Sequence, residues 1–391
     1  MSYDFDVVVV GGGPSGATAA TDLARAGHHV LLLDRAGRIK PCGGAIPPRL
    51  IRDFDIPDHL LVAKATAARM IAPSAKQVEM PVGDGFVGMV DRDVFDEWLR
   101  ARAGLAGAER RTGTFERIDR DADGAAVIIY TTGRGSAEQR VRTRAVIGCD
   151  GARSGVARQA IKGARTKFVF AYHEVVKAPA AHYDFRPERC DVVYQGAISP
   201  DFYGWVFPHG ETASIGVGSA NKGFALRESC ARLRLQSGLA GCETLRREGA
   251  PIPLKPLKRW DNGRDVVVAG DAAGVVAPAS GEGIYYAMAC GSIAAQSVGL
   301  FLRTGDAKAL RQARKRFMRA HGRVFWVLGI MQHFWYRSDK RRERFVKMCE
   351  DPDVQKLTWQ AYMNKELVRA EPMAHARIFL KDMGHLLGLA H

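Results

Sequence analysis

Three groups of residues in this chain have the types and spacing that chemistry needs. The first is Gly11-x-Gly13-x-x-Gly16, which follows the apolar run Asp6-Val-Val-Val-Val10 and opens the helix-like stretch from Ala17 to Ala26. Glycines so spaced allow a tight turn, close backbone approach to a pyrophosphate and close packing of helix on strand. The helix then points its positive end at the phosphates. His29-Val-Leu-Leu-Leu-Asp34 reads as the next strand, with Asp34 placed to accept hydrogen bonds from a ribose hydroxyl. Strand, turn, helix, strand and acid within about 30 residues is the size of a dinucleotide-binding unit.

The second group is Gly270-Asp271-Ala-Ala-Gly274 at the end of a Val-rich strand, followed by Pro278-x-x-Gly281-x-Gly283-Ile284. A carboxylate there can hold a polyol, and a glycine turn before a helix offers backbone N–H groups to an electron-rich ring edge. The plainer reading is an aspartate capping a turn. Asp150-Gly151-x-x-Ser154, also at a strand end, is an ordinary turn on its own.

The third group is a thiol and an aromatic stripe. Cys42 sits in Pro41-Cys42-Gly43-Gly44, and Tyr203-x-Trp205-x-Phe207-Pro208 places three rings at alternate positions, pointing the same way if the segment is a strand. A cavity wall and a core face look identical in sequence. Gly83-x-Gly85-x-x-Gly88 repeats the glycine pattern but runs into no helix and has no acid at the required spacing, so it reads as a loop. The chain therefore carries one dinucleotide fingerprint.

The elements that must position these groups belong to a soluble globular chain. Its 391 residues, 47% apolar and 25% charged, suit two or three domains and exclude collagen-like, disordered and porin-like classes. The net charge of +15 suggests an anionic partner without choosing one. Seven scattered cysteines with no CxxC pair argue against a disulfide framework or a bound metal such as zinc. Short strands interrupt the first β-α-β unit before Asp265-Val-Val-Val-Ala-Gly270 resumes it, and a helix is expected over 91–103. Gly283 to Leu302 is uncharged and long enough for a bilayer, but its Gly, Ser and Gln residues read as a buried helix. No transmembrane span is therefore expected, and the chain opens straight into a strand with no basic n-region or cleavage site, so no signal peptide is expected either.

In this order the motifs resemble the FAD-binding fold of the para-hydroxybenzoate hydroxylase type. Tyr203-x-Trp205-x-Phe207-Pro208, with Ile215-Gly216 six residues on, is similar to the signature of the geranylgeranyl reductase family; Pro41-Cys42-Gly43-Gly44 resembles that family's cysteine segment. The chain looks like its bacterial (bacterio)chlorophyll branch, lacking the transit peptide of plant members. The resemblance implies an α/β (α+β) fold. A Rossmann-like FAD-binding domain would comprise 1–68, 91–162 and 259–305. A mostly antiparallel β substrate domain would comprise 69–90 and 163–258, and a helical region 306–391. Gly11, Gly13, Gly16 and Asp34 would bind the ADP half of FAD, with Arg92 touching the cofactor from its helix and Asp150 at a further strand end. Gly270 and Asp271 would hold the ribityl-phosphate region, and Gly281, Gly283 and Ile284 the isoalloxazine. Tyr203, Trp205, Phe207 and Pro208 would line the substrate cavity.

The activity implied is NADPH-dependent saturation of three of the four alkenes of a geranylgeranyl group, giving phytyl, with NADPH as a transient co-substrate. The substrate would be an isoprenoid-tailed pigment or geranylgeranyl diphosphate. An unactivated alkene has no carbonyl to accept charge, so hydride from reduced flavin must be matched by a proton, with Cys42 or Tyr203 as the acid and Trp205 facing the developing positive charge. An aromatic monooxygenase of the same fold is the alternative, and a basic RNA-modifying flavoprotein a more distant one. No RNA-binding module is recognisable, so no nucleic-acid partner is expected.

From Arg303 to Glu350 fourteen Lys/Arg stand against four Asp/Glu. Leu310, Ala313, Phe317, Val324, Leu328, Met331 and Trp335 recur there at helical spacing, with Arg311, Lys315, Arg319 and Arg323 on another face and an uncharged, aromatic-rich stretch over 324–336. That pattern predicts a peripheral protein on the cytoplasmic side of an anionic membrane, held by its apolar face and by Arg337, Arg341 and Arg342, with pigment-biosynthesis enzymes as possible partners.

Overall fold

Val7, Val8, Val9 and Val10 are at most 2% exposed, because the strand Phe5–Val10 is covered on both faces in a central, mostly parallel sheet. The computed structural model describes residues 2–35, 37, 39–179 and 184–365. The chain divides into two compact units, the first formed by described residues up to 40, 92–168 and 251–322, the second by 41–91, 169–250 and the described residues from 323 on.

The first unit carries a seven-stranded sheet. Phe5–Val10 lies between Val30–Asp34 and Gln139–Gly148, parallel to both, and Val266–Val268 pairs parallel with the latter. The crossovers from Phe5–Val10 thus diverge just where the Gly11 loop leaves it, which makes a crevice beyond the strand ends. Ala126–Thr131 and Thr114–Arg120 add an antiparallel edge. Helix Pro14–Arg25 and helix Ile284–Thr304 meet closely: a Cβ on Gly291 would overlap the Ser15 carbonyl. Among the described residues Ile284–Thr304 is the one helix long and apolar enough to cross a membrane, and 67% of that apolar window is buried inside the protein. The late strand, expected over 265–270, is confined to its three valines, Val266–Val268, and Gly270 at φ +63° then turns the chain into a short 3-10 helix.

The second unit holds another seven-stranded sheet, antiparallel except where Arg189–Val193 pairs with Ala67–Ile71. Gly204–His209 sits inside it, between Thr212–Ser219 and Arg189–Val193. A small antiparallel sheet joins Ala45–Ile46, Val87–Met89 and Ala63–Ala65. Residues 41–68, expected with the first domain, belong to this unit, because these pairings draw them there. Helices Gln312–Trp335, Asp339–Met348 and Pro352–Asn364 follow. The part of the expected helical region beyond 365 lies outside the described residues.

Candidate active site

In the first unit the three fingerprint glycines do different work. Gly11 has φ +102° and no room for a Cβ against the Cys149 carbonyl, while a Cβ on Gly16 would overlap the Gly11 carbonyl. Gly13, at φ −72°, is the N-cap of helix Pro14–Arg25; an added Cβ there meets nothing within 4 Å, and no side chain caps the helix. An uncapped, positive helix end beside open space is a cradle for an anion.

Asp34 ends the next strand half-buried. Burial pushes its carboxyl up, against the Gly12 amide and the Arg100 charge, which pull it down. Arg100 reaches both Asp34 Oδ2 and the Gly12 carbonyl at 3.4 Å. Sequence reasoning passed over Arg100, although Arg92, Asp96 and Arg100 follow one another by single helical turns in Arg92–Leu105. Arg92 itself is buried and donates to Asp96 through Nε at 2.9 Å and Nη2 at 2.7 Å. Asp150 acts as a helix cap: its carboxylate accepts from the Ser154 hydroxyl, the Gly155 amide at 2.6 Å and the Val156 amide at 3.1 Å.

Asp271 is buried and bonded at 2.6 Å to Lys40 Nζ, a partner the motif did not suggest. Gly281 takes φ +65° and Gly283 caps helix Ile284–Thr304 without a side-chain bond of its own. The neighbouring Glu282 accepts the Tyr285 amide at 2.9 Å. Ala279, buried at φ +62°, carries a conformation that alanine rarely adopts. Gly83 and Gly85 lie in the connection between strands Gln77–Pro81 and Val87–Met89, where no helix begins.

In the second unit Tyr203, Trp205 and Phe207 do share one face. Their ring centroids step along it at 6.1 and 6.4 Å. Alternation puts Pro208 with Val206 on the opposite face, where Val206 packs into a core with Ala213, Ile215 and Leu233, so Pro208 leaves the stripe. Gly216 is explained by the stripe as well, since a Cβ there would run into the Trp205 indole. Trp205 Nε1 donates to Ser214 Oγ at 3.2 Å; that hydroxyl lies 3.0 Å from His173 Nδ1, and His173 Nε2 lies 3.0 Å from Glu248. Ser214, His173 and Glu248 belong to no motif and were not anticipated.

The Cys42 segment lies against this stripe. A Cβ on Gly43 would stand 3.0 Å from the Phe207 ring and 3.7 Å from Trp205 Nε1. Cys42 is half-buried, and its Sγ accepts the Gly44 amide at 3.4 Å. Burial pushes the Tyr203 phenol well above its ordinary value, with Tyr336 and Cys42 adding to the shift.

Taken together, the sheets and loops are those of the FAD-binding fold. A structure described as a geranylgeranyl bacteriochlorophyll reductase-like protein from Thermoplasma acidophilum superimposes with a TM-score of 0.80, at 24% identity, over 95% of this chain and 99% of that one. A flavin-dependent brominase shares the fold with a TM-score of 0.74 at 17% identity, over 97% of this chain and 99% of that one. A family model described as lycopene cyclase protein matches residues 6–383. A geranylgeranyl diphosphate reductase of Rhodobacter capsulatus is 58% identical over 98% of both chains, and one of Synechocystis is 35% identical over 97% of both. The chain belongs to the geranylgeranyl reductase family, inside the wider group that the lycopene cyclase model covers. FAD fits the residues present: the open Gly13 cradle suits its pyrophosphate, and Asp34 suits its ribose.

Proposed function

We propose that this protein is an FAD-dependent, NADPH-using reductase that saturates three double bonds of a geranylgeranyl group to phytyl in (bacterio)chlorophyll biosynthesis. The observation that carries this reading is the identity of 58%, sustained over 98% of both chains, with a geranylgeranyl diphosphate reductase. When bound, reduced flavin supplies hydride. Gly11, Gly13, Gly16 and Asp34 hold the ADP half, while Gly270, Asp271, Gly281, Gly283 and Ile284 support the remainder. Cys42 gives the proton that each saturated alkene requires. The stripe of buried Tyr203 and Trp205 and half-buried Phe207 excludes water and turns aromatic faces to the carbon that gains positive character.

Deletion of the gene in its host tests the function. Mass spectrometry of the pigments should find geranylgeranyl tails in place of phytyl; a fully phytylated pool would overturn the reading. Feeding purified enzyme with geranylgeranyl diphosphate or with the geranylgeranylated pigment then identifies the form that is reduced.

The insoluble C20 chain also favours a peripheral membrane location, on the basic face of the expected helix rather than on its apolar repeat. Leu310, Ala313 and Phe317 are fully buried, and Trp335 nearly so, so that much of the expected apolar face is packing. Arg342 is 2% exposed and donates to the Pro200 and Tyr336 carbonyls and to Asp339, while Arg341 lies over the Phe334 ring at 4.2 Å. Exposed residues of helix Gln312–Trp335 form another stripe: Arg319, Arg323, Trp326 at 69% exposure and Ile330 at 48%. Trp at the interface with basic residues beside it suits anionic headgroups. In vesicle flotation, Arg319→Ala and Arg323→Ala should each weaken binding to anionic vesicles roughly fivefold, and Trp326→Ala should weaken it further. Failure of the wild-type protein to float would overturn the membrane reading.

A further inference from the structure

The aromatic stripe has a fourth member. His209 follows Tyr203, Trp205 and Phe207 at the same alternate spacing and ends the strand Gly204–His209. It is 8% exposed, and its ring nitrogens have one partner each: Nδ1 lies 2.9 Å from Asp91 Oδ1 and Nε2 lies 3.0 Å from the Gly43 carbonyl oxygen. Both partners are acceptors. An imidazole with one ring proton can donate to one of them, whereas the imidazolium donates to both and is paired with the Asp91 carboxylate. Lys64, on the neighbouring strand Ala63–Ala65, is engaged by Asp58 at 2.7 Å.

The carbonyl that His209 holds belongs to the same peptide group as the Gly44 amide, and that amide donates to Cys42 Sγ at 3.4 Å. A single peptide plane thus joins the histidine to the thiol. Its freedom is small: Gly44 sits at φ +71°, with a Cβ position only 2.5 Å from both His209 Cε1 and the Val90 carbonyl. A hydrogen bond to the carbonyl polarises the peptide and strengthens the amide on its other side.

We propose that His209 is the positioning residue for Cys42, acting through the Gly43–Gly44 peptide and oriented by Asp91. This rests on the reading of Cys42 as the proton donor. The two ring nitrogens can be tested separately, because a glutamine amide reproduces the Nε2 donor and an asparagine amide the Nδ1 donor. In purified, flavin-loaded protein, His209→Asn should speed hydrogen exchange of the Cys42–Ile46 segment about tenfold, and should lower kcat for alkene reduction with little change in KM. His209→Gln should keep exchange within about threefold of wild type. Asp91→Ala, which leaves the histidine in place, should raise exchange in the same segment. Equal exchange in the Asn and Gln variants, with flavin content and melting temperature preserved, would overturn the proposal. So would altered exchange with unchanged kcat, provided Cys42→Ala is inactive. If Cys42→Ala is itself fully active while exchange follows the predicted order, the positioning role stands and the assignment of the proton donor fails.

Discussion

Valine in place of Gly13 should give a folded, colourless protein. The substitution is informative because the fold has no objection to it. Gly13 sits at φ −72°, an ordinary angle for a β-branched residue, and an added Cβ meets no protein atom within 4 Å. What the side chain would fill is the approach of a pyrophosphate to the uncapped end of helix Pro14–Arg25. The loss of affinity for FAD should be at least a hundredfold, about 2.7 kcal/mol. Flavin released on denaturation and the melting curve of the apoprotein measure the two halves of the prediction. Gly11 and Gly16 offer no such separation, since side chains there collide with backbone and should damage the fold itself. A Gly13→Val protein that stays yellow would remove the cofactor assignment.

Alanine in place of Cys42 should keep the flavin and the oxidation of NADPH but lose alkene reduction by roughly 10²–10⁴-fold, the range for a general acid. Cys42 and Tyr203 were equal candidates on sequence grounds, and their surroundings separate them. Burial raises the Tyr203 phenol, which therefore holds its proton more tightly and is a poorer donor. Cys42 is half-buried, with a backbone amide directed at its sulfur, and the next residue, Gly43, faces Phe207 and the Trp205 indole nitrogen. Tyr203→Phe should accordingly cost less than Cys42→Ala. Product formation under single-turnover conditions is the measurement, and an unchanged rate in Cys42→Ala would shift the proton donor to Tyr203.

The sequence by itself determined what depends on neighbours along the chain. The fingerprint Gly11-x-Gly13-x-x-Gly16 was legible because turn, cradle and helix start all lie within six residues, and Asp34 because one strand separates it from them. The common face of Tyr203, Trp205 and Phe207 follows from the two-residue period of a strand. That same period reaches His209, which went unnoticed because Pro208 looked like the end of the motif. Only the tertiary structure decided the partners. Lys40 meets Asp271 across 231 positions, His209 meets Asp91 across 118, and His173 meets Glu248 across 75. No local spacing encodes such pairs, because strand order and register bring them together. Burial was hidden for the same reason: Arg342 and Trp326 both sit on helices, yet packing encloses the arginine and leaves the tryptophan in water. Helical periodicity gives the faces of a helix, and only the neighbouring elements decide which face is covered.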